Sequence, residues 1–251
     1  MTEPYELALL VEERADRVVV TLNRPDRRNA IDMQFVDELH EVCGRLERDP
    51  RLLLITGGSD GVFAGGADIA QLRDRGRIEA LAAINVGVFE RLRRLPMPTI
   101  AAIDGAALGG GAELAYACDL RVCTSRTFFG QPEVRLGIIA GGGACFRLPA
   151  LVGEPMAKEM LLTGRRVPAD EAFAIRLVNR VVDDPADLLP AAHAMLDDIA
   201  KGSALAVRLT KATVDAPPAA HPHLDLANQA VLFEDEEKRD RMTAFLERRR
   251  D

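Results

Sequence analysis

No stretch of the sequence approaches the run of about 20 apolar residues that a membrane-spanning helix needs. The first six residues, Met1-Thr2-Glu3-Pro4-Tyr5-Glu6, are acidic and lack the basic-then-apolar order of a secretory signal. Cysteine is sparse: Cys43, Cys118, Cys123 and Cys145 form no C-x-x-C, which sets aside a disulfide framework and reads as buried thiols in a reducing compartment. These absences predict a soluble, cytoplasmic protein with no membrane partner. A basic surplus is missing too. The net charge of −7 argues against a nucleic-acid surface, because phosphate binding depends on accumulated Lys and Arg. Local basic clusters do occur, at Arg24, Arg27 and Arg28 and at Arg248, Arg249 and Arg250; either could meet a small anion, although exposed Arg is most often solvated surface.

Three catalytic signatures are absent as well. No glycine-rich stretch is followed by Gly-Lys-Ser or Gly-Lys-Thr, so a phosphate loop is excluded, and none shows G-x-G-x-x-G directly after an early strand. There is no G-x-S-x-G elbow of a serine hydrolase. His40 sits on the amphipathic helix, His193 is isolated, and His221-Pro222-His223 follows a Pro-rich breaker without Cys or carboxylate ligands at fixed spacing, so no metal is expected.

What remains is an ordinary globular balance, 48% hydrophobic and 28% charged over 251 residues, enough for one large domain or one and a half. Arg17–Leu22 is short and β-branched and runs into Asn23-Arg24-Pro25-Asp26, a strand followed by a turn. Asp32 is placed to cap a helix whose stripe is Ile31, Phe35, Leu39, Val42 and Leu46. Leu52–Thr56 and Pro98–Ile103 are continuous apolar runs of the kind found in strands covered on both faces. A helix is expected over Ile78–Leu95, another after Gly109-Gly110-Gly111, a strand over Asp119–Cys123 and a short one at Thr127–Phe129. Beyond about Pro149 the pattern reads as helical, over Glu154–Leu162, Ala169–Phe173, Pro185–Ala200, Ser203–Val214 and Leu224–Arg249. The class is therefore α/β, with a strand–helix core and a helical last third.

Three glycine-rich places recur at expected strand ends: Phe63–Asp68, Ala107–Glu113 and Gly137–Gly143. Glycine at the mouth of a helix leaves a main-chain N–H exposed at the positive end of the helix dipole. Two such donors converging on one oxygen make an oxyanion hole. Glycines serving only tight turns account well for one such place but poorly for three with a carboxylate following one of them. Glu113 is that carboxylate; almost one turn beyond Gly110, it shares that residue's side of the helix. Glu133 follows Gly130-Gln131-Pro132, and spacing alone does not bring it to Glu113.

In order along the chain, Leu22-Asn23-Arg24-Pro25 with Asn29-Ala30, Phe63–Ile69, Ile103–Ala115, Phe129–Glu133 and Met242–Arg249 resemble the enoyl-CoA hydratase/isomerase family, also called the crotonase superfamily, over nearly the whole length. The resemblance implies a spiral core of ββα turns over residues 1–195 and a helical oligomerisation region over 196–251, assembled as a homotrimer or homohexamer. It implies that the main-chain N–H groups of Ala67 and Gly110 grip a thioester carbonyl. Glu113 would activate water, and Glu133 would handle the proton at the α-carbon. Arg28, Ala64, Asp68 and Ile69 fall where the family lines its CoA pocket, Gly141 falls near the water site, and Arg248 matches a basic position reaching CoA. The implied activity is hydration of a trans-2-enoyl-CoA, with CoA as part of the substrate and no further cofactor. Other enolate chemistry on an acyl-CoA, such as double-bond isomerisation or a C–C bond step, is the nearest rival; a non-catalytic CoA-binding protein is the more distant one, disfavoured because both acids are kept. The sequence departs from the family at Ala140, where proline is usual, at Gly143–Leu148, which replaces a common Gly-Gly-Thr-Gln-Arg-Leu, and at Arg239-Asp240-Arg241-Met242.

Overall fold

The computed structural model describes residues 7–58 and 61–248; the N-terminal six residues and Arg249 and Arg250 of the closing basic run lie outside them. Strands β1 (Leu9–Glu13), β2 (Arg17–Leu22) and β3 (Leu52–Thr56) flank helix α1 (Met33–Arg48). Then come β4 (Val62–Ala64) and three short helices, α2 (Ile69–Asp74), α3 (Arg77–Leu81) and α4 (Ile84–Arg93). The next turn of the spiral is β5 (Thr99–Ile103), β6 (Ala106–Leu108) and α5 (Gly110–Ala117), and the one after it opens with β7 (Leu120–Thr124) and β8 (Phe128–Gly130). Helices α6 (Ala144–Val152), α7 (Glu154–Thr163) and α8 (Ala169–Ala174) are interleaved with strands β9 (Arg166–Pro168) and β10 (Arg180–Val182). The chain closes with α9 (Leu188–Ala200), α10 (Ala204–Val214), α11 (His223–Phe233) and α12 (Glu236–Arg248).

From β3 to β8, successive strands alternate between two sheets. The larger runs β1-β2-β3-β5-β7-β10 and the smaller β4-β6-β8-β9. Within them only β1/β2 and β8/β9 pair antiparallel; the other pairs are parallel. Strands β3, β5 and β7 each hand over to a three-residue strand of the smaller sheet before the chain turns into helix, which is the ββα spiral. Residues of β3 and β5 are buried along their whole length, as continuous apolar runs require. One face of the large sheet packs Leu54, Ile100 and Val122 against Leu188, Ala192 and Leu196 of α9. The other holds the main core with Phe35, Leu39, Val42 and Leu46 of α1.

Several expectations need amendment. The helix expected over Ile78–Leu95 is two helices, because Ala83 adopts φ 56°, a left-handed conformation that stops α3 and lets α4 begin afresh. The helix expected over Leu224–Arg249 is likewise broken, after Phe233. The last third is not all helix, since β9 and β10 extend the two sheets. Helix α6 already spans Pro149, beyond which the sequence reads as helical, and the proline supplies no N–H to the helix's own hydrogen bonding. The third glycine-rich place follows a 3₁₀ turn at Glu133–Leu136 rather than a strand. Cys145 is exposed, unlike the other three cysteines.

Arg24 is also not available to an outside anion. It is buried and donates to both carboxylate oxygens of Asp32, at 2.5 and 2.6 Å. Asp32 in turn caps α1 by accepting from the Phe35 N–H at 2.9 Å. Replacing Arg24 with Met should leave a buried carboxylate unpaired and lower stability by about 3–5 kcal/mol, read from urea unfolding. A wild-type unfolding midpoint in that variant would remove the pair from this role.

Candidate active site

The turn after β2 carries two consecutive left-handed residues, Arg28 (φ 52°) and Asn29 (φ 51°). The Asn29 amide donates to the carbonyls of Gly57, Val62 and Phe63 at 3.2, 3.1 and 3.0 Å, stitching this turn to β4. The Gly65 N–H then donates to the Arg28 carbonyl at 2.8 Å, the Ile31 N–H to Gly66 at 2.8 Å and the Asp68 N–H to Ile31 at 3.2 Å. Ile31 and Ala67 so form a parallel bridge in which Gly66 and Asp68 make the contacts. By the alternation of an extended chain, the Ala67 N–H faces the opposite way, into a cavity.

The Gly110 N–H reaches the same cavity from another direction. It opens α5, where the first N–H groups have no partner within the helix. A Cβ on Gly110 would sit 3.5 Å from the Ala67 nitrogen, so the absent side chain leaves the space between the two amides empty. Gly109 makes the sharp approach possible with φ 52°, and a Cβ there would lie 2.8 Å from Glu133 Oε1. Gly111 has to be glycine because α5 sits against β4: an added Cβ would meet the Ala64 carbonyl oxygen at 2.2 Å.

Glu113 is buried on α5 and accepts, at Oε1, from the N–H of Gly142 at 2.8 Å and of Ala144 at 3.0 Å. The third glycine-rich segment is therefore a cradle for a carboxylate. A Cβ on Gly142 would collide with Glu113 Oε2 at 2.4 Å and a Cβ on Gly143 would meet Arg147 Nη1 at 2.7 Å, which explains the glycines. Burial pushes the Glu113 pKa up, opposed by the Ala144 and Gly142 amides and the positive charge of Arg147. Arg147 is itself buried, donates to the Gly142 carbonyl at 3.3 Å and forms an ion pair with Glu90 of α4.

Glu133 opens the 3₁₀ turn after β8, and its carboxyl is raised to about 7, chiefly by burial, with the Glu113 charge adding to the rise and its own main-chain N–H opposing it. The side-chain amide of the fully buried Gln131, turned to satisfy its surroundings, donates to both Glu133 oxygens at 3.1 and 3.0 Å.

The cavity these groups share measures about 870 Å³. Of the residues singled out from sequence, Ala67, Gly110, Glu113, Glu133, Ile69 and Gly141 line it. The other four lie off its wall. Ala64 is buried beneath α5, Asp68 caps α2 through the Gln71 N–H at 3.0 Å, and Arg248 is exposed at the end of α12. Arg28 is exposed and packs beside Gly65 at the cavity's edge. Sequence reading missed the Gly142 and Ala144 donors, the Arg147–Glu90 pair and Asn85, which lines the cavity from the first turn of α4. The glycine triplet was a visible signal for the first; Asn85 offered none, because the break at Ala83 that aims it was not visible.

The geometry amounts to two main-chain donors and two carboxyls of raised pKa around one cavity, a set suited to stabilising an oxyanion while protons move beside it. The chain is 38% identical over 250 residues to a short-chain-enoyl-CoA hydratase of Clostridium acetobutylicum, covering 96% of this chain and 95% of the relative. It is 39% identical over 250 residues to a crotonyl-CoA hydratase of Syntrophomonas wolfei, covering 96% of each. The crystal structure of an enoyl-CoA hydratase from Bacillus anthracis matches with a TM-score of 0.90 at 29% identity, over 96% of both chains. The sequence profile described as Enoyl-CoA hydratase/isomerase matches residues 12–251, and with that match the chain belongs to the enoyl-CoA hydratase/isomerase family, the crotonase superfamily.

Proposed function

We propose that this protein adds water across the double bond of a trans-2-enoyl-CoA thioester, giving the 3-hydroxyacyl-CoA. The observation that carries the reading is the meeting of Glu113, Glu133 and the amides of Ala67 and Gly110 at one cavity. The thioester oxygen sits between the two amides, which polarise the conjugated system and make the β-carbon electrophilic. Glu113, held by two N–H donors, serves as the carboxylate that takes a proton from water as its oxygen bonds to the β-carbon. The electron pair moves through the α-carbon to the thioester oxygen. Glu133, whose pKa of about 7 keeps much of it protonated near neutrality, delivers a proton to the α-carbon as the oxyanion collapses. The proton left on Glu113 passes to Glu133 to restore the pair. Two acids fit hydration better than isomerisation, which needs one group to carry a single proton.

CoA enters as part of the substrate, and no other cofactor is needed for these steps. Its chain is assigned to the edge near Arg28, Asp68 and Ile69, with Arg248 as a cation for its phosphates and Gly141 beside the water; Ala64, fully buried beneath α5, does not reach that edge. The names of the two bacterial relatives favour short acyl groups. Helices α11 and α12 bury no residue of their own and expose Leu226, Val231, Phe233, Met242 and Leu246 by more than half, an apolar surface suited to the trimer contact.

Ultraviolet loss of the conjugated enoyl thioester tests the reaction directly; a folded protein inert on enoyl-CoAs of every chain length would end the proposal. Glu113→Gln and Glu133→Gln should each lower turnover at least about 10²-fold with little change in CoA affinity. Gly110→Ala should fold, since its Cβ meets nothing closer than 3.5 Å, yet fill the oxyanion hole and cost about 10²–10³ in rate. Near-normal rates in any of the three would reject that residue's part. In the hydration direction kcat/KM should fall as pH rises through about 7, as Glu133 loses its proton, and fall again in acid as Glu113 gains one. A profile flat across neutrality would contradict the assignment of acid and base. Sedimentation should give three or six times the chain mass, and a monomer at micromolar concentration would remove the assembly.

A further inference from the structure

The edge of the oxyanion hole carries a polar side chain that neither glutamate nor the two amides accounts for. Three groups surround the point where a Cβ on Gly110 would stand: the Ala67 nitrogen at 3.5 Å, Ile31 Cδ1 at 3.5 Å and Asn85 Nδ2 at 3.8 Å. Two of the three are nitrogens bearing hydrogen. The same space is bounded by the Gly110 N–H itself.

Nothing in the local chemistry of α4 explains an asparagine here. Asn85 is the second residue of the helix, the N-cap is Ala83, and that cap makes no side-chain hydrogen bond. Asparagine is a poor helix former away from a cap. Its sequence neighbours on the cavity wall, Ala83, Ile84 and Val86, are apolar. The carboxamide oxygen is buried and has no hydrogen-bond partner among the described residues, so no protein group holds the amide through that atom, while its nitrogen faces the hole. The left-handed turn at Ala83 is what brings the side chain to this place, by ending α3 and starting α4 over the hole.

We propose that Asn85 is a further catalytic residue, donating a side-chain N–H to the thioester oxygen as a third member of the oxyanion hole. The inference rests on the hydration reading for the identity of that oxygen. Asn85 gives up no proton. As the water oxygen bonds to the β-carbon, the π pair moves to the thioester oxygen, and the amide's partial positive charge meets the growing negative one. A donor at the edge of the hole matters most when that charge is full, so its effect falls on the transition state more than on the bound substrate. The contact shortens when the ligand fills the space, as hydrogen bonds of empty sites commonly do on forming a reactive complex.

The test uses the whole protein with two variants, Asn85→Leu, which keeps the volume without the donor, and Asn85→Asp, which keeps the shape and presents a carboxylate. Asn85→Leu should lower kcat about 10- to 10²-fold with KM within about threefold of wild type, and Asn85→Asp should lower it further. The second readout is the absorption band of a bound enoyl-CoA whose conjugation extends beyond the α,β double bond. Polarisation of its carbonyl moves that band to longer wavelength on binding, and the shift should shrink in both variants. Wild-type kcat and a wild-type band shift in Asn85→Leu would overturn the proposal. A wild-type protein that binds the ligand and shifts its band without adding water would refute hydration alone. The comparison of band shifts would then still decide the role of Asn85.

Discussion

The Ala67 N–H points into the cavity because the residues on either side of it are already committed. Gly66 gives its carbonyl to Ile31 and Asp68 gives its N–H to the same residue, so the amide between them has to face the other way. That orientation is what sets a second main-chain donor beside the Gly110 amide. The bridge in turn depends on the left-handed pair Arg28–Asn29, whose side-chain amide ties three carbonyls together, and on the buried Arg24–Asp32 pair that anchors the start of α1. A chain of main-chain and buried polar contacts thus runs from the first turn of the fold to the cavity wall. Rigid backbone is the right material for this purpose, since donors that need no reorganisation when charge appears stabilise it most.

The same economy governs the carboxyls. Burial raises both, but their surroundings differ. Glu113 lies in a cradle of amide N–H groups with a buried guanidinium behind them, which supports its anionic form. Glu133 has burial and the neighbouring carboxylate acting together to retain its proton. Two groups of one chemical type are thus set in different surroundings, one by the loop before α6 and the other by the turn after β8.

The cradle borders Gly143–Leu148, one of the stretches that depart from the family pattern. Phe146 of that stretch is exposed, and the Arg147 guanidinium lies 5.2 Å above its ring. On the facing side the interruption at Ala83 leaves α3 with exposed Ile78 and Leu81 and sets the first turn of α4 against the hole. The cavity therefore has rigid main-chain donors at its centre and, on the side of α4, a wall set by the break at Ala83.

Much of this was readable from the chain alone, for identifiable reasons. The runs Leu52–Thr56 and Pro98–Ile103 announce strands because continuous apolar residues of that length have to be covered on both faces, and Asp32 announces α1 because a cap and a helical stripe follow each other. Glycines beside Glu113 mark the chemistry because exposed amides at a helix mouth attract developing negative charge. The three-residue strands of the smaller sheet carry too little pattern to be seen, and the breaks at Ala83 and after Phe233 involve residues that favour helix locally. Glu133 reaches the cavity, and Gly142 and Ala144 reach Glu113, only through sheet pairing and helix packing across some 20 to 30 residues of sequence. Local sequence determines which groups the chain possesses and which short segments they favour. Their convergence is decided by long-range packing, whose energy no short window of residues contains.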